Sequence, residues 1–311
     1  MKEISDYTWT LARDPDNGYW FELVVNQLGD GAMIKGEFEE AKKGFSRVIE
    51  LFNPGLPYPW ELAPSGYIQI GAKAWLMVCL QILGHMDQAK NLSDQHLSYA
   101  EDHKDSMTLY HIYTFPALYS LFSRDWKRSE KIMEKYLPIV KKFGDPIFTL
   151  TAEVYYYIAR AFQGDQMAFQ TAVKLINVCF DVGFKAFGVT MAPFIGELYF
   201  QSGDHESTLN WIKKILDHVK KTGSNINNAE LFRIKGLTLQ ALNKPEPMVE
   251  KNLNQALEIS RKQKARTFEL RTAAALAILW ETVSYTHLTL PTTGHVCRWG
   301  WWGGGGGGGG G

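Results

Sequence analysis

Apolar residues recur along this chain at the spacing of helices that bury one face. Two successive stretches show the pattern, at Ala229, Phe232, Gly236 and Leu239 and then at Val249, Leu253, Ala256, Leu257 and Ser260. Steps of three and four residues place these side chains on one side of an α-helix. Gly236 and Ala256 are small, so two helix backbones can approach closely there. The pattern predicts a helical hairpin with Gly236 at the contact between its helices.

Two series of turn residues repeat along the chain with a period near 40 residues. The first series has successive spacings of 48, 40, 40, 39 and 40 and consists of Gly36, Gly84, Arg124, Gly164, Gly203 and Asn243. The second series, Gly144, Gly183 and Gly223, has spacings of 39 and 40. Glycine is favoured just after a helix because that position often needs a positive φ. A period near 40 with two helices per unit predicts a solenoid.

The predicted fold is all-α, a right-handed superhelical solenoid like those of tetratricopeptide (TPR) repeats. We expect six hairpins and one last helix at 18–35/37–52, 66–83/86–101, 105–123/125–143, 145–163/165–182, 186–202/204–222, 225–242/246–264 and 267–282. Prolines at 54, 57, 59 and 64 predict a loop that explains the one long spacing. Each hairpin is expected to bury its apolar face only against its neighbours.

Both ends of the chain differ from the repeats. Residues 1–17 are polar and are expected to form a flexible N-terminal segment. Residues 283–292 read like one frame of a sequencing-library adapter, and Gly303–Gly311 is unbroken glycine. Nine glycines lose much backbone entropy on ordering and offer no side chains to compensate. We therefore expect 283–311 to be a disordered artefact and the repeat domain to span 18–282.

Composition narrows the partners and the compartment. The chain is 45% hydrophobic and 21% charged, with a formal net charge of zero. A balanced charge argues against direct binding of nucleic acid, which needs a basic surface. No apolar run is long enough to cross a membrane. Cys79, Cys179 and Cys297 are isolated, which favours a reducing, cytoplasmic location.

Motifs that would indicate chemistry are missing from the sequence. It contains neither the Gly-x-x-x-x-Gly-Lys-Ser/Thr phosphate loop nor a Gly-x-Ser-x-Gly nucleophile elbow. The histidines lack the helical spacing and third ligand that a zinc site needs. We therefore predict no catalytic, cofactor-binding or metal-binding residues, and no enzyme activity in this chain itself.

Aromatic and arginine side chains on the first helices of the hairpins suggest a partner groove. The candidate residues are Tyr113, Tyr156, Arg160 and Arg233. Aromatic and arginine residues often dominate the energy of protein interfaces. The alternative is that each aromatic fills the core between helices. Consecutive helical residues point about 100° apart, so Tyr155, Tyr156 and Tyr157 cannot all be buried on one side.

Several stretches resemble a known family of repeats. They are residues 83–89 (LGHMDQA), 229–236 (AELFRIKG), 256–263 (ALEISRKQ) and 269–271 (ELR). They are similar to the C-terminal TPR region of bacterial signalling proteins in which a class III adenylate/guanylate cyclase, or a kinase, precedes a P-loop ATPase. Related repeats occur in ATP-dependent transcription activators of the MalT type. The resemblance covers about residues 18–282, and the family's ATPase and cyclase residues lie outside it.

The resemblance implies a regulatory role for the solenoid. It would bind a protein, a peptide or an effector, or contact fused catalytic domains, and thereby control a catalytic module. The alternative function is the effector or oligomerisation domain of a MalT-type activator. No cofactor, nucleic acid or membrane partner is implied for the chain itself.

Overall fold

The computed structural model describes residues 29–51 and 67–289, with side chains at 29–50 and 69–281. A helical segment at 29–35, called α1, is followed by twelve further helices in these ranges. They are α2 Phe38–Leu51, α3 Tyr67–Leu83, α4 Met86–Ser98, α5 Ser106–Phe122, α6 Trp126–Phe143, α7 Pro146–Ala161, α8 Gln166–Asp181, α9 Lys185–Gln201, α10 His205–Thr222, α11 Asn228–Ala241, α12 Glu246–Lys262 and α13 Arg266–Thr289. A short 3-10 turn, Tyr99–Glu101, follows α4.

These helices pair into six hairpins and a last helix, which confirms the predicted all-α repeat solenoid. Hairpin 1 is α1/α2, hairpin 2 is α3/α4, and so on to hairpin 6, α11/α12. The described ranges contain no β-strand. The last helix runs to Thr289 rather than ending at the predicted boundary of 282. Predictions for 1–17, for the proline-rich loop and for 290–311 concern residues outside the described ranges.

Both series of turn residues have a left-handed backbone, which was predicted for the second series. In the first series φ lies between 77° and 96° at Gly36, Gly84, Gly164 and Gly203, and is 62° at Arg124 and 50° at Asn243. In the second series φ is 74° at Gly144, 84° at Gly183 and 74° at Gly223, and Lys264 continues it at 54°. Every turn of this kind ends a helix and reverses the chain, which fixes the 20-residue half-period.

Aspartate caps start five of the helices. The side chains of Asp105, Asp125, Asp145, Asp165 and Asp204 accept hydrogen bonds from backbone N–H groups two or three residues further on. An N-cap carboxylate satisfies donors that have no partner inside the helix and complements the helix dipole. The helix boundaries are thus encoded locally.

Gly236 lies at the predicted close contact. A Cβ atom built on it would come 2.7 Å from both Cγ and Cδ2 of Leu253 on α12. Ala256 is fully buried in the same hairpin. Phe232 is only half-buried, and Glu230 and Arg233 are buried in its place. The close-contact prediction is confirmed, whereas the face that α11 buries is wider and more polar than predicted.

Hairpins do not contact only their neighbours, so that prediction is wrong. The backbone N–H of Asn225, before α11, donates to the carbonyl of Ile34 in α1 at 2.7 Å. The hydroxyl of Thr267 on α13 donates to the carbonyl of Gln81, at the end of α3, at 2.5 Å. The rotation between successive hairpins accumulates along the solenoid, and here it brings the last repeats back onto the first.

Aromatic rings fill the axis where the two ends meet. Phe268 on α13 lies 6.5 Å, centroid to centroid, from Phe38 and 6.4 Å from Phe122. Phe122 lies 5.5 Å from Phe194 on α9. One continuous apolar core extends from Met33 to Phe268. The axis on this side of the solenoid is therefore packed and not an open channel.

Candidate functional site

Five charged side chains meet beside these rings and form what we call the axial cluster: Arg124, Glu197, Glu230, Arg233 and Arg271. Arg124 lies in the turn between α5 and α6, Glu197 on α9, Glu230 and Arg233 on α11, and Arg271 on α13. They come from hairpins 3, 5 and 6 and the last helix, so the solenoid must curve back on itself to assemble them.

The cluster is a chain of ion pairs. Arg124 binds Glu197 through two parallel hydrogen bonds of 2.7 Å. Arg233 binds Glu230 through Nε at 3.0 Å and Nη2 at 2.9 Å, and its Nη2 lies 3.4 Å from Glu197. Arg271 Nη1 lies 3.4 Å from Glu230. Paired arginine forks of this kind fix orientation as well as charge.

Burial makes these charges interdependent. The exposed fraction of the side chain is 5% for Glu230 and 8% for Arg233, rising to 30% for Arg124. Burial alone would raise the pKa of Glu230, but the charges of Arg233 and Arg271 outweigh it and hold that pKa below its usual value. Burial, with the positive charges of Arg124 and Arg233, lowers the pKa of Arg271 despite the opposing effect of Glu230. Three guanidinium groups therefore share two carboxylates.

Arg124 occupies a backbone conformation that suits glycine. Its φ is 62°, and the equivalent turns of hairpins 1, 2, 4 and 5 have glycine at this position. A left-handed backbone costs an L-residue with a Cβ about 1–2 kcal/mol. The paired hydrogen bonds to Glu197 offset this cost, so the side chain has a specific role at the axis.

The predicted groove residues do not share one open surface. Arg233 is 7% exposed and belongs to the axial cluster, so it is not available to a partner in this structure. Tyr113 is half-buried and stacks on Tyr136 with the ring centroids 5.1 Å apart. Tyr113 therefore contributes to internal packing, which was the alternative weighed for the aromatics.

Tyr156 and Arg160 do lie together at the surface of α7. The guanidinium of Arg160 lies 5.6 Å from the ring centroid of Tyr156 and donates to its hydroxyl at 3.1 Å. Asp165 also binds Arg160, at 2.6 Å. Tyr155 is buried, whereas Tyr156 and Tyr157 are half-buried, which confirms that the three tyrosines do not face one way. A partner at this pair stays a prediction.

A cavity of about 630 Å³ lies where hairpins 1 and 6 meet. One wall is the start of α2 with Glu37 and Glu39, and the other is the end of α12 with Lys262 and Lys264. The amide nitrogen of Gln263 donates to the carbonyl of Asn225 at 2.8 Å beneath it. Acidic residues suit a helix start and basic residues a helix end, and here the two meet across a gap. We call this the seam cavity.

Sequence reasoning missed four members of the axial cluster. No role was predicted for Glu197, Glu230 or Arg271, and Arg124 served only as a turn marker. One available signal was that an arginine replaces glycine in the turn series. Another was that Glu230 and Arg233 fall next to the apolar residues Ala229, Leu231 and Ile234 of α11.

Two further properties bear on the site. Among the described residues, no group of three or more histidine, cysteine, aspartate or glutamate side chains could hold a metal ion. Within the same ranges, none of the helices combines the length and the apolar character that a membrane span requires.

Comparison with known proteins gives a likeness to a solved structure. No family model and no curated protein matches the chain. A signal transduction ATPase with numerous domains from Pyrococcus horikoshii, which carries a tetratricopeptide repeat sensor, is similar at a TM-score of 0.49 and 14% identity. The match covers 91% of this chain but 45% of that protein, so the chain spans less than half of its length.

Proposed function

We propose that this chain is an interaction and regulatory solenoid. The observation that supports the proposal best is the seam cavity, because its walls come from the first and the last complete hairpins. A peptide or effector bound there would contact both ends of the solenoid at once. Its binding energy would depend on how the two ends are placed, and by linkage binding would change that placement. The Tyr156–Arg160 pair is a second surface that a protein partner could use.

We further propose that the solenoid is part of a bacterial signalling protein in the cytoplasm. In that arrangement a cyclase or kinase and an ATPase precede it and are the modules that it controls. The sequence stretches at 83–89, 229–236 and 256–263 support this context through their resemblance to such proteins. The MalT-type arrangement would instead connect the solenoid to a DNA-binding activator.

Recovering the uninterrupted gene is the first test. It should encode a catalytic module in the same reading frame as the repeats. The catalytic rate of the complete protein is then measured with the charges of the seam cavity reversed, in the double variant Lys262→Glu and Lys264→Glu. Lys220→Glu with Lys221→Glu is the matched control, because these lysines are exposed at the end of α10 and do not line the cavity.

We expect the seam variant to change the response of the catalytic module, and the control to leave it unchanged. Deleting the repeats should abolish regulation. If the complete protein has the same activity and the same response with and without the repeats, the solenoid is not regulatory. A helix-turn-helix module in the same gene, in place of the cyclase or kinase, would favour the transcription activator.

A further inference from the structure

The axial cluster connects parts of the chain that an open solenoid would keep apart. Arg124 joins the end of α5 to Glu197 on α9, and Arg233 joins α9 to α11. Glu230 then joins α11 to Arg271 on α13. Arg271 Nη2 completes the circuit by donating to the carbonyl of Phe122, at the end of α5, at 2.5 Å. The contacts thus form a closed loop across the axis.

The direct contacts between the two ends are both apolar and polar. Phe268 packs against Phe38 and Phe122 within the continuous apolar core. Hydrogen bonds from Asn225 and Thr267 and the contact of Arg271 with α5 add directional contacts. Loss of these polar contacts weakens the closure but leaves the packing inside each hairpin intact, so the ends can separate without unfolding the units on either side.

The charge balance of the cluster makes it sensitive to the loss of one carboxylate. Three guanidinium groups surround Glu197 and Glu230. Removing one partner of a buried ion pair leaves an uncompensated charge, which is far more costly than never having had the pair. With one glutamate neutral, three positive charges would face a single negative charge at the axis. Their repulsion acts between hairpin 3, hairpin 6 and the last helix, which carry Arg124, Arg233 and Arg271.

We propose that the axial cluster is an electrostatic latch that holds the solenoid closed. When the latch loses one carboxylate, α13 and hairpin 6 separate from hairpins 1–3 while the hairpins themselves stay folded. Opening exposes Phe38 and Phe268 and parts the walls of the seam cavity. The latch controls the shape of the chain whatever the solenoid binds, so it stands apart from the proposed function.

Hydrogen exchange of the full chain, followed by mass spectrometry, tests the latch. Glu230→Gln keeps the shape of the side chain and removes its charge. We expect amides at the meeting ends, in 29–40, 81–86 and 263–271, to exchange about tenfold faster or more, because opening becomes easier. Amides of α7 and α8, which make none of these contacts, should keep their exchange rates. Small-angle scattering should show a larger radius of gyration.

Glu269→Gln is the matched control. Glu269 lies on α13, the helix that carries Arg271, and forms ion pairs with Arg261 and Arg266, but both partners belong to the same end of the chain. It should leave exchange at residues 29–40 unchanged. Equal acceleration in α7 and α8 for Glu230→Gln, or no acceleration at the meeting ends, would overturn the latch.

A second variant covers the case in which Glu230→Gln does not fold. Arg271→Gln removes one positive charge and leaves two guanidinium groups with two carboxylates, so repulsion does not arise. It still cuts both contacts of Arg271, with Glu230 and with the Phe122 carbonyl. We expect selective acceleration at the same meeting ends. If this variant also unfolds as a whole, the ends cannot separate from the folded hairpins and the latch is excluded.

Discussion

Hairpin 4 and the axis are built by different rules. In hairpin 4, Asp145 and Asp165 cap the helices, Gly144 and Gly164 reverse the chain, and apolar side chains pack on the adjacent hairpins. At the axis, charged side chains are buried and Arg124 takes a glycine conformation. The hairpin is determined by residues that are close together in the sequence. The axis forms only when the solenoid closes, through contacts between residues as far apart in the sequence as Phe38 and Phe268.

The largest effect that separates the two regions should come from Phe268→Ala. Phe268 is fully buried between Phe38 and Phe122, so truncation should lower the free energy of unfolding by about 3–5 kcal/mol. Urea denaturation measures the loss. Ile176→Ala, equally buried within α8, is the comparison. Hydrogen exchange should accelerate in α2 for the Phe268 variant only, and unchanged protection of α2 would show that this ring does not join the ends.

The next effect is on pH dependence and concerns hairpin 2. Burial lowers the pKa of His96 to about 4, and its ring N–H donates to the carbonyl of Ile70 at 3.0 Å. A depressed pKa means that the folded state resists protonation. Neutral His96 therefore contributes up to about 3 kcal/mol to the free energy of unfolding at pH values above its ordinary pKa of about 6.5. This contribution is lost as the pH falls to about 4.

The His96 contribution is isolated as the difference between wild type and His96→Gln. Asp30 changes the pH dependence of the free energy of unfolding in the opposite sense, because burial raises its pKa to about 7. A single pH series on the wild type is therefore not sufficient. Urea denaturation at several pH values should show the two curves converging between pH 6.5 and 4. Parallel curves would mean that His96 does not titrate in this window. His103→Gln is the control, since His103 is less buried.

A smaller effect tests the helix contact inside hairpin 6. Gly236→Leu should overpack the contact with Leu253 and cost on the order of 1–3 kcal/mol. Gly236→Ala also meets Leu253, but the nearest atoms belong to a flexible side chain. An exposed helical glycine would instead gain up to about 1 kcal/mol on replacement by alanine. Chemical denaturation of the two variants measures these changes. If Gly236→Leu stabilises the protein as much as Gly236→Ala, the contact does not exist.

The smallest effect contrasts two turns that share a left-handed backbone. Lys264→Gly should raise the free energy of unfolding by roughly 1 kcal/mol, because it removes the conformational strain at a φ of 54°. Arg124→Gly removes similar strain but also both hydrogen bonds to Glu197, so it should be destabilising. Thermal melting of both variants shows whether each substitution raises or lowers the melting temperature. If both variants are stabilised, the Arg124 side chain contributes nothing to stability beyond its place in the turn.

Much of the repeat unit was readable from single residues. Gly144 and Asp145 marked the end of α6 and the start of α7, and both have the predicted conformation. Gly236 was placed correctly because a small residue among the apolar positions of a helix allows a second helix to pack closely against it. Among the groove candidates, Tyr156 and Arg160 lie together because residues four positions apart are neighbours on a helix. Arg233 is buried in the axial cluster, a placement that depends on contacts with other hairpins.

The sequence by itself determined the hairpins, because caps, turns and apolar stripes act within about 20 residues of chain. It could not determine that Thr267 would meet Gln81, or that Arg124 and Arg271 would share the axis. Whether the first and last repeats touch depends on the sum of small rotations over six interfaces, and each rotation is set by side-chain packing. Only the tertiary structure adds these rotations together, and it closes the solenoid around a buried group of charges.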